Sequence, residues 1–229
     1  MAKNHFNTPF DDGTKAKLEI FRNYLKEWLP VFISNYEKTH WDNIFIYDFF
    51  AGEGKDVNGT LGSSLIILDV LNEFSDLIAT TKVKINVIYN EKDEKTFNTL
   101  SNNINEFNYN REKVAIKLFN LSFQDFFEEI YPKMIKNSKL PRLMILDQFG
   151  IKEITTEIFK KLISFERTDF IFFISSSFVR RFNELPEFKN YLSITKENFE
   201  DTKPFHSHKV VFEYYKSMVD TNYMLAPFS

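Results

Sequence analysis

Short apolar runs alternate with stretches of helical periodicity along most of this 229-residue chain. Ile44-Phe45-Ile46-Tyr47 predicts a first strand over about 43–49, closed by Asp48. Ile85 to Tyr89, within 84–89, predicts a second, Val114 to Phe119 a third, Arg142 to Leu146 a fourth that ends at Asp147, and Phe170 to Ile174 a fifth. Between them, helices are predicted from Ser63 or Ser64 to about Phe74, over Glu94–Phe107, over Gln124–Lys136 and over Thr155–Phe165. Before the first strand, Leu18, Phe21, Tyr24, Leu25 and Trp28 repeat at helical spacing. Residues 14–39 therefore read as one helix, or as two divided at Pro30, with Thr14 as N-cap.

Strands that alternate with helices call for parallel βαβ units, and near-continuous apolar strands fit a sheet covered on both faces. The expected fold is α/β: a doubly wound, mainly parallel, Rossmann-like sheet. A helical segment over 1–42 is expected to pack on a domain over 43–229. Within that domain 178–229 is the least legible part, with helical stretches expected at about Arg180–Phe188 and Lys209–Val219.

Composition narrows the chemistry. The chain has no cysteine, which excludes disulfides, thiolate zinc sites, cysteine-ligated clusters and cysteine nucleophiles. A net charge of −3 argues against a broadly basic nucleic-acid coat. No run approaches the roughly 18 apolar residues of a membrane span, and Met1-Ala2-Lys3-Asn4-His5 opens no apolar leader. A cytoplasmic protein without a membrane role is expected.

In an open α/β sheet, ligands sit beyond the carboxyl ends of the strands. Four of the six glycines lie between 52 and 62, after the first strand, in Asp48-Phe49-Phe50-Ala51-Gly52-Glu53-Gly54 and the loop that follows. Glycine lets a backbone approach a ligand closely. A nicotinamide fingerprint fails here because Val57 stands where its third glycine belongs. The loop to Ser63 also delays the helix that would hold a pyrophosphate, so a ligand without phosphates fits better. Glu91, just past the second strand, is placed to accept from the two hydroxyls of a ribose. Ser122 and Phe123, past the third, sit where an adenine amino group and ring would be met, although Asp125 serves equally well to start the next helix. Arg180 and Arg181, beside Ser175-Ser176-Ser177, are candidates for holding substrate phosphates.

The glycine segment resembles the first motif of class I S-adenosylmethionine-dependent methyltransferases, D-x-F-A-G-x-G. The resemblance implies S-adenosylmethionine as cofactor, held by Asp48, Phe50, Ala51, Gly52, Gly54 and Glu91. Asp147-Gln148-Phe149-Gly150 is similar to the Asp/Asn-Pro-Pro-aromatic segment of amino-directed methyltransferases. That similarity implies catalytic roles for Asp147, as acceptor from the target amine, and Phe149, stacked on the base. Gln148 departs from the pattern by replacing a proline.

Taken in order, the pieces resemble the three-Cys-motif partner protein (TcmP) family of methyltransferase-like proteins. The resemblance runs from Thr14-Lys15 and Tyr24-Leu25 through Tyr47-Asp48, Phe50-Ala51-Gly52, Gly62-Ser63 and Asn90-Glu91-Lys92-Asp93. It continues through Asp147, Phe149-Gly150, Thr168-Asp169-Phe170, Arg180-Arg181-Phe182 and Tyr191-Leu192. It implies a partner protein that carries the cysteines, and a sheet that lacks the last strands found in the family beyond Pro227-Phe228-Ser229. Two functions are expected to compete: methyl transfer to an amino group of a nucleic-acid base, or a non-catalytic binding subunit of a partner protein.

Overall fold

The computed structural model describes residues 8–34, 41–148, 150–186, 188–219 and 223–226. Its elements are α1 (Asp12–Ile33), β1 (Asn43–Asp48), α2 (Ser63–Glu73), α3 (Ser75–Thr80), β2 (Lys84–Asn90), α4 (Glu94–Glu106), β3 (Val114–Phe119), α5 (Phe123–Lys136) and β4 (Arg142–Asp147). After these come α6 (Thr156–Leu162), β5 (Thr168–Phe173), α7 (Ser176–Phe182) and α8 (Ser207–Lys216), with short 3₁₀ turns between α7 and α8. The five strands form one parallel sheet of order β3-β2-β1-β4-β5, flanked by helices, which is a Rossmann-like doubly wound arrangement. β1 pairs with β2 from Asn43↔Lys84 to Asp48↔Tyr89, and with β4 from Phe45↔Arg142 to Asp48↔Ile145. The chain runs β1, β2, β3 to one side and then returns to place β4 on the other, so the strand order reverses at β1.

The polypeptide divides into two compact units. One comprises the described residues up to Leu146 with Glu166–Ile171; the other comprises Asp147–Phe165 and the described residues from Phe172 onward.

In the first unit, α1 buries Phe21, Leu25, Trp28, Leu29 and Ile33, the stripe expected of an amphipathic helix. Its cap is Asp11, whose carboxylate accepts from the Thr14 amide at 2.7 Å, so the helix begins earlier than a Thr14 cap implies. Pro30 lies inside it: the proline removes one intrahelical bond, yet the helix continues to Ile33. Residues 35–39 of the expected segment lie outside the described residues. α2 buries Leu65, Ile66, Ile67, Leu68, Val70 and Leu71, which cover more than one face. A helix apolar all round needs a second layer, and α1 packs on it. Arg22 pairs with Asp69 at 2.6 Å and Glu73 at 2.9 Å along that seam. The helix expected to reach Phe74 ends at Glu73, and the separate turn α3 follows. At the start of β4, Arg142 is 1% exposed. Its guanidinium donates to the carbonyls of Met134, Asn137 and Leu140, the negative end of α5.

In the second unit, Phe159, Phe172 and Tyr215 pack edge-on or tilted, with Tyr215 4.8 Å from Phe159 and 5.0 Å from Phe172. The Tyr214 hydroxyl lies 2.6 Å from Thr156 Oγ1 and accepts from the Ser193 amide. The helices here are shifted from the expected ones: α7 begins at Ser176, capped by Ser175, and α8 begins at Ser207.

Candidate functional site at the carboxyl ends of the first three strands

β1 ends in Asp48, which is fully buried. One carboxylate oxygen accepts from Ser63 Oγ at 2.6 Å and the other from the Phe50 amide at 3.3 Å. Asp48 therefore joins the strand end to the first residue of α2 and sets the turn between them. Ala51 donates its amide to the Asn90 carbonyl at 3.0 Å, and its own carbonyl accepts from Ser64 Oγ at 3.1 Å. The chain then passes through two left-handed residues, Gly52 at φ 62° and Gly54 at φ 95°. A Cβ on Gly54 would stand 3.1 Å from Leu65 Cγ, so both conformation and space require glycine there.

The residues that delay α2 form a closed loop. Lys55 and Leu61 make an antiparallel bridge, and Gly62 donates to the Gly54 carbonyl at 2.7 Å. Inside the loop, Asp56 accepts from the amides of Asn58 and Thr60, and from Phe10 at 2.8 Å. Burial pushes the Asp56 carboxyl up, but these amide bonds outweigh it and hold the group below its ordinary value. Asn103 of α4 donates to the Glu53 carbonyl at 2.7 Å, so α4 also braces the loop.

The second strand adds an acid to this turn. Glu91 Oε2 accepts from the Gly52 amide at 3.0 Å, while Oε1 accepts from the Asp93 amide at 2.9 Å. Burial raises the Glu91 carboxyl above its usual range, against the opposing pull of those amides. A carboxylate has about four lone-pair sites, and the two amides leave acceptor capacity on both oxygens.

The third strand closes the group. Asn90, 2% exposed, donates to the carbonyls of Phe49 and Leu121 and accepts from the Leu121 amide. Asn120 donates to the carbonyls of Glu91 and Lys92 at 2.7 and 3.1 Å. Ser122 caps α5, accepting from the Asp125 amide at 3.1 Å and donating to its carboxylate at 2.6 Å. Phe123 is 1% exposed, and Phe50 lies over its ring at a centroid distance of 5.3 Å and 14° between planes. Phe50 is the less buried ring of this pair.

The fold thus brings Asp48, Phe50, Ala51, Gly52, Gly54, Glu91, Ser122 and Phe123 together in one unit. Asp147, Arg180 and Arg181 belong to the other unit, and Phe149 lies outside the described residues. Asp147 is the last residue of β4 and is partly exposed. Arg180 donates to the Thr202 carbonyl at 2.6 Å and to Ser207 Oγ at 3.4 Å, with its guanidinium 5.3 Å from the Phe199 ring. Arg181 is exposed, over the ring of Phe182.

Sequence reasoning did not single out Ser63, Asn90, Asn103 and Asn120 as parts of this site. Asn103 carried a signal, since asparagine is a poor helix-interior residue and this one falls on the buried face of α4. Among the described residues there is no cluster of metal-ligating side chains, and no helix is long and apolar enough to cross a membrane.

No protein-family model matches the chain. A tRNA(Met) cytidine acetate ligase of Fusobacterium nucleatum subsp. nucleatum is 30% identical to it over 125 residues, 55% of the chain. The chain spans 28% of that ligase's length.

Proposed function

We propose that this chain binds S-adenosylmethionine at the carboxyl ends of β1, β2 and β3, and transfers its methyl to an amino group of a nucleic-acid base in the cytoplasm. The observation that carries the reading is the direct hydrogen bond between the Glu91 carboxylate and the amide of Gly52 in the left-handed turn after β1. It places a hydroxyl-binding acid against a glycine turn, at the sheet edge where α/β proteins hold nucleosides. A loop closed by its own bridge suits a nucleoside without a pyrophosphate better than a dinucleotide.

Methyl transfer from a sulfonium asks for alignment of nucleophile and methyl more than for acid–base power. Asp147 is the proposed acceptor from the target amine, with Phe149 as its stacking partner, and a base within a duplex would have to be flipped out to reach them. The nucleic-acid part of the reading draws support from the ligase similarity, since that relative is named for action on a tRNA cytidine. The resemblance to the TcmP family suggests a cysteine-bearing partner protein. The test is transfer of a labelled methyl from S-adenosylmethionine to RNA, DNA and protein pools, with and without that partner. Label in nucleic acid is expected. Cofactor binding without transfer to any pool would favour the binding-subunit function instead.

A further inference from the structure

Gln148 directly follows Asp147 and is 6% exposed. Its Oε1 accepts from the amides of Glu153 at 3.2 Å and Ile154 at 3.0 Å. Two donors on one side fix the amide's orientation, because a flipped group would set its NH₂ against both N–H groups. Nε2 therefore faces away from them, and it is buried without a hydrogen-bond partner. Unmade buried donors are costly and uncommon in native proteins. This one stands just beyond the carboxyl end of a strand, the place where α/β sheets put ligands. A glycine at φ 88°, Gly150, turns the chain two residues later.

We propose that Gln148 recognises the substrate, its Nε2 donating to an unprotonated ring nitrogen beside the amino group that receives the methyl. The proposal rests on the methyl-transfer reading and narrows it to bases of the cytosine and adenine type. In those bases the amino group adjoins an acceptor nitrogen. Uracil and hypoxanthine present a ring N–H at that position, and would set donor against donor. A glutamine amide does not titrate near neutrality, so its part is recognition and placement, with no proton moved.

The test compares binding of cytidine with 3-deazacytidine, and of adenosine with 1-deazaadenosine, by the full chain saturated with S-adenosylhomocysteine. Each deaza analogue lacks only the ring acceptor. The expected result is roughly tenfold to hundredfold weaker binding of each analogue, the discrimination typical of a buried donor left unpaired. Gln148→Met, of similar length but without the donor, should erase that discrimination in protein whose circular dichroism is unchanged. The wild-type comparison decides the matter even where the variant fails to fold. Equal binding of each pair, no nucleoside binding at all, or a preference for N-acetylglutamine amide over the nucleosides overturns the proposal. Discrimination that persists when S-adenosylhomocysteine itself does not bind strikes the methyl-transfer reading and leaves the Gln148 contact standing.

Discussion

Glu91 accepts the amide of Gly52 across 39 residues of sequence, and so couples the acid after β2 to the glycine turn after β1. The bond exists because parallel pairing in register, Asp48↔Tyr89, brings the two strand ends level. Asn90, one residue earlier, binds the strand ends on either side through Phe49 and Leu121. Two adjacent residues therefore hold the turn in shape, one from its buried side and one from its ligand side.

Affinity for S-adenosylmethionine should fall on acidification, beginning above the ordinary carboxylate range. Glu91 is raised by burial, and ribose hydroxyls are accepted by its charged form. As pH drops through the raised value, Glu91 takes up a proton that must be released for the ligand to bind. Folding responds with the opposite sign, because the native state holds this proton more tightly than the unfolded chain. Acidification thus lifts this group's contribution to stability while lowering affinity. Calorimetry from pH 8 to pH 5 checks the first effect, and Glu91→Gln should flatten it.

Gly54→Ala should destabilise the protein more than Gly59→Ala. Both glycines have positive φ, but a Cβ at Gly54 meets Leu65 at 3.1 Å, whereas one at Gly59 meets nothing within 4 Å. A strained left-handed conformation costs about 1–3 kcal/mol, and only Gly54 adds a steric clash. Thermal denaturation should rank the two variants in that order. Equal losses would mean that backbone conformation alone decides.

Asn90→Ala should cost about 2–4 kcal/mol, since it leaves buried backbone groups of Phe49 and Leu121 without their partner. Urea titration measures the loss. S-adenosylhomocysteine should recover part of it by binding only the folded state, so the variant's midpoint should rise with ligand concentration.

The two arginines should separate. Arg180 is committed to Thr202, Ser207 and the Phe199 ring, so Arg180→Ala should lower Tm. Arg181 is exposed, so Arg181→Ala should spare Tm and instead reduce the salt dependence of nucleic-acid binding by about one charge. Asp147→Ala should abolish methyl transfer while leaving cofactor affinity within about twofold, the signature of an interaction made with the reacting amine alone. Loss of cofactor binding in that variant would remove Asp147 from the acceptor role.

The strands were legible because each is a short apolar run closed by a polar residue, and β3 and its neighbours fall within a residue or two of the pattern. The glycine turn was legible too, since glycine is otherwise scarce here. What the pattern did not reveal is polar bracing over long range. Nothing local marks Ser63 as the partner of Asp48, or Asn120 as the donor to Glu91 and Lys92; those contacts arise from parallel register. Helix starts were misplaced for a related reason. Asp11 and Thr14 are both competent caps by residue type, and which one serves depends on where Phe10 is held, by Asp56 of the glycine loop. The second unit was least legible because its aromatic cluster joins α6, β5 and α8, which are far apart in sequence.

The most direct test of the central claim is calorimetric titration of S-adenosylmethionine and S-adenosylhomocysteine into the wild type and Glu91→Ala. The structure predicts saturable one-to-one binding by the wild type. Removing the charge-assisted acceptor should weaken it roughly tenfold to hundredfold, since such bonds are worth about 1.5–3 kcal/mol. Binding that is absent from the wild type, or unchanged in a folded Glu91→Ala protein, would contradict the account.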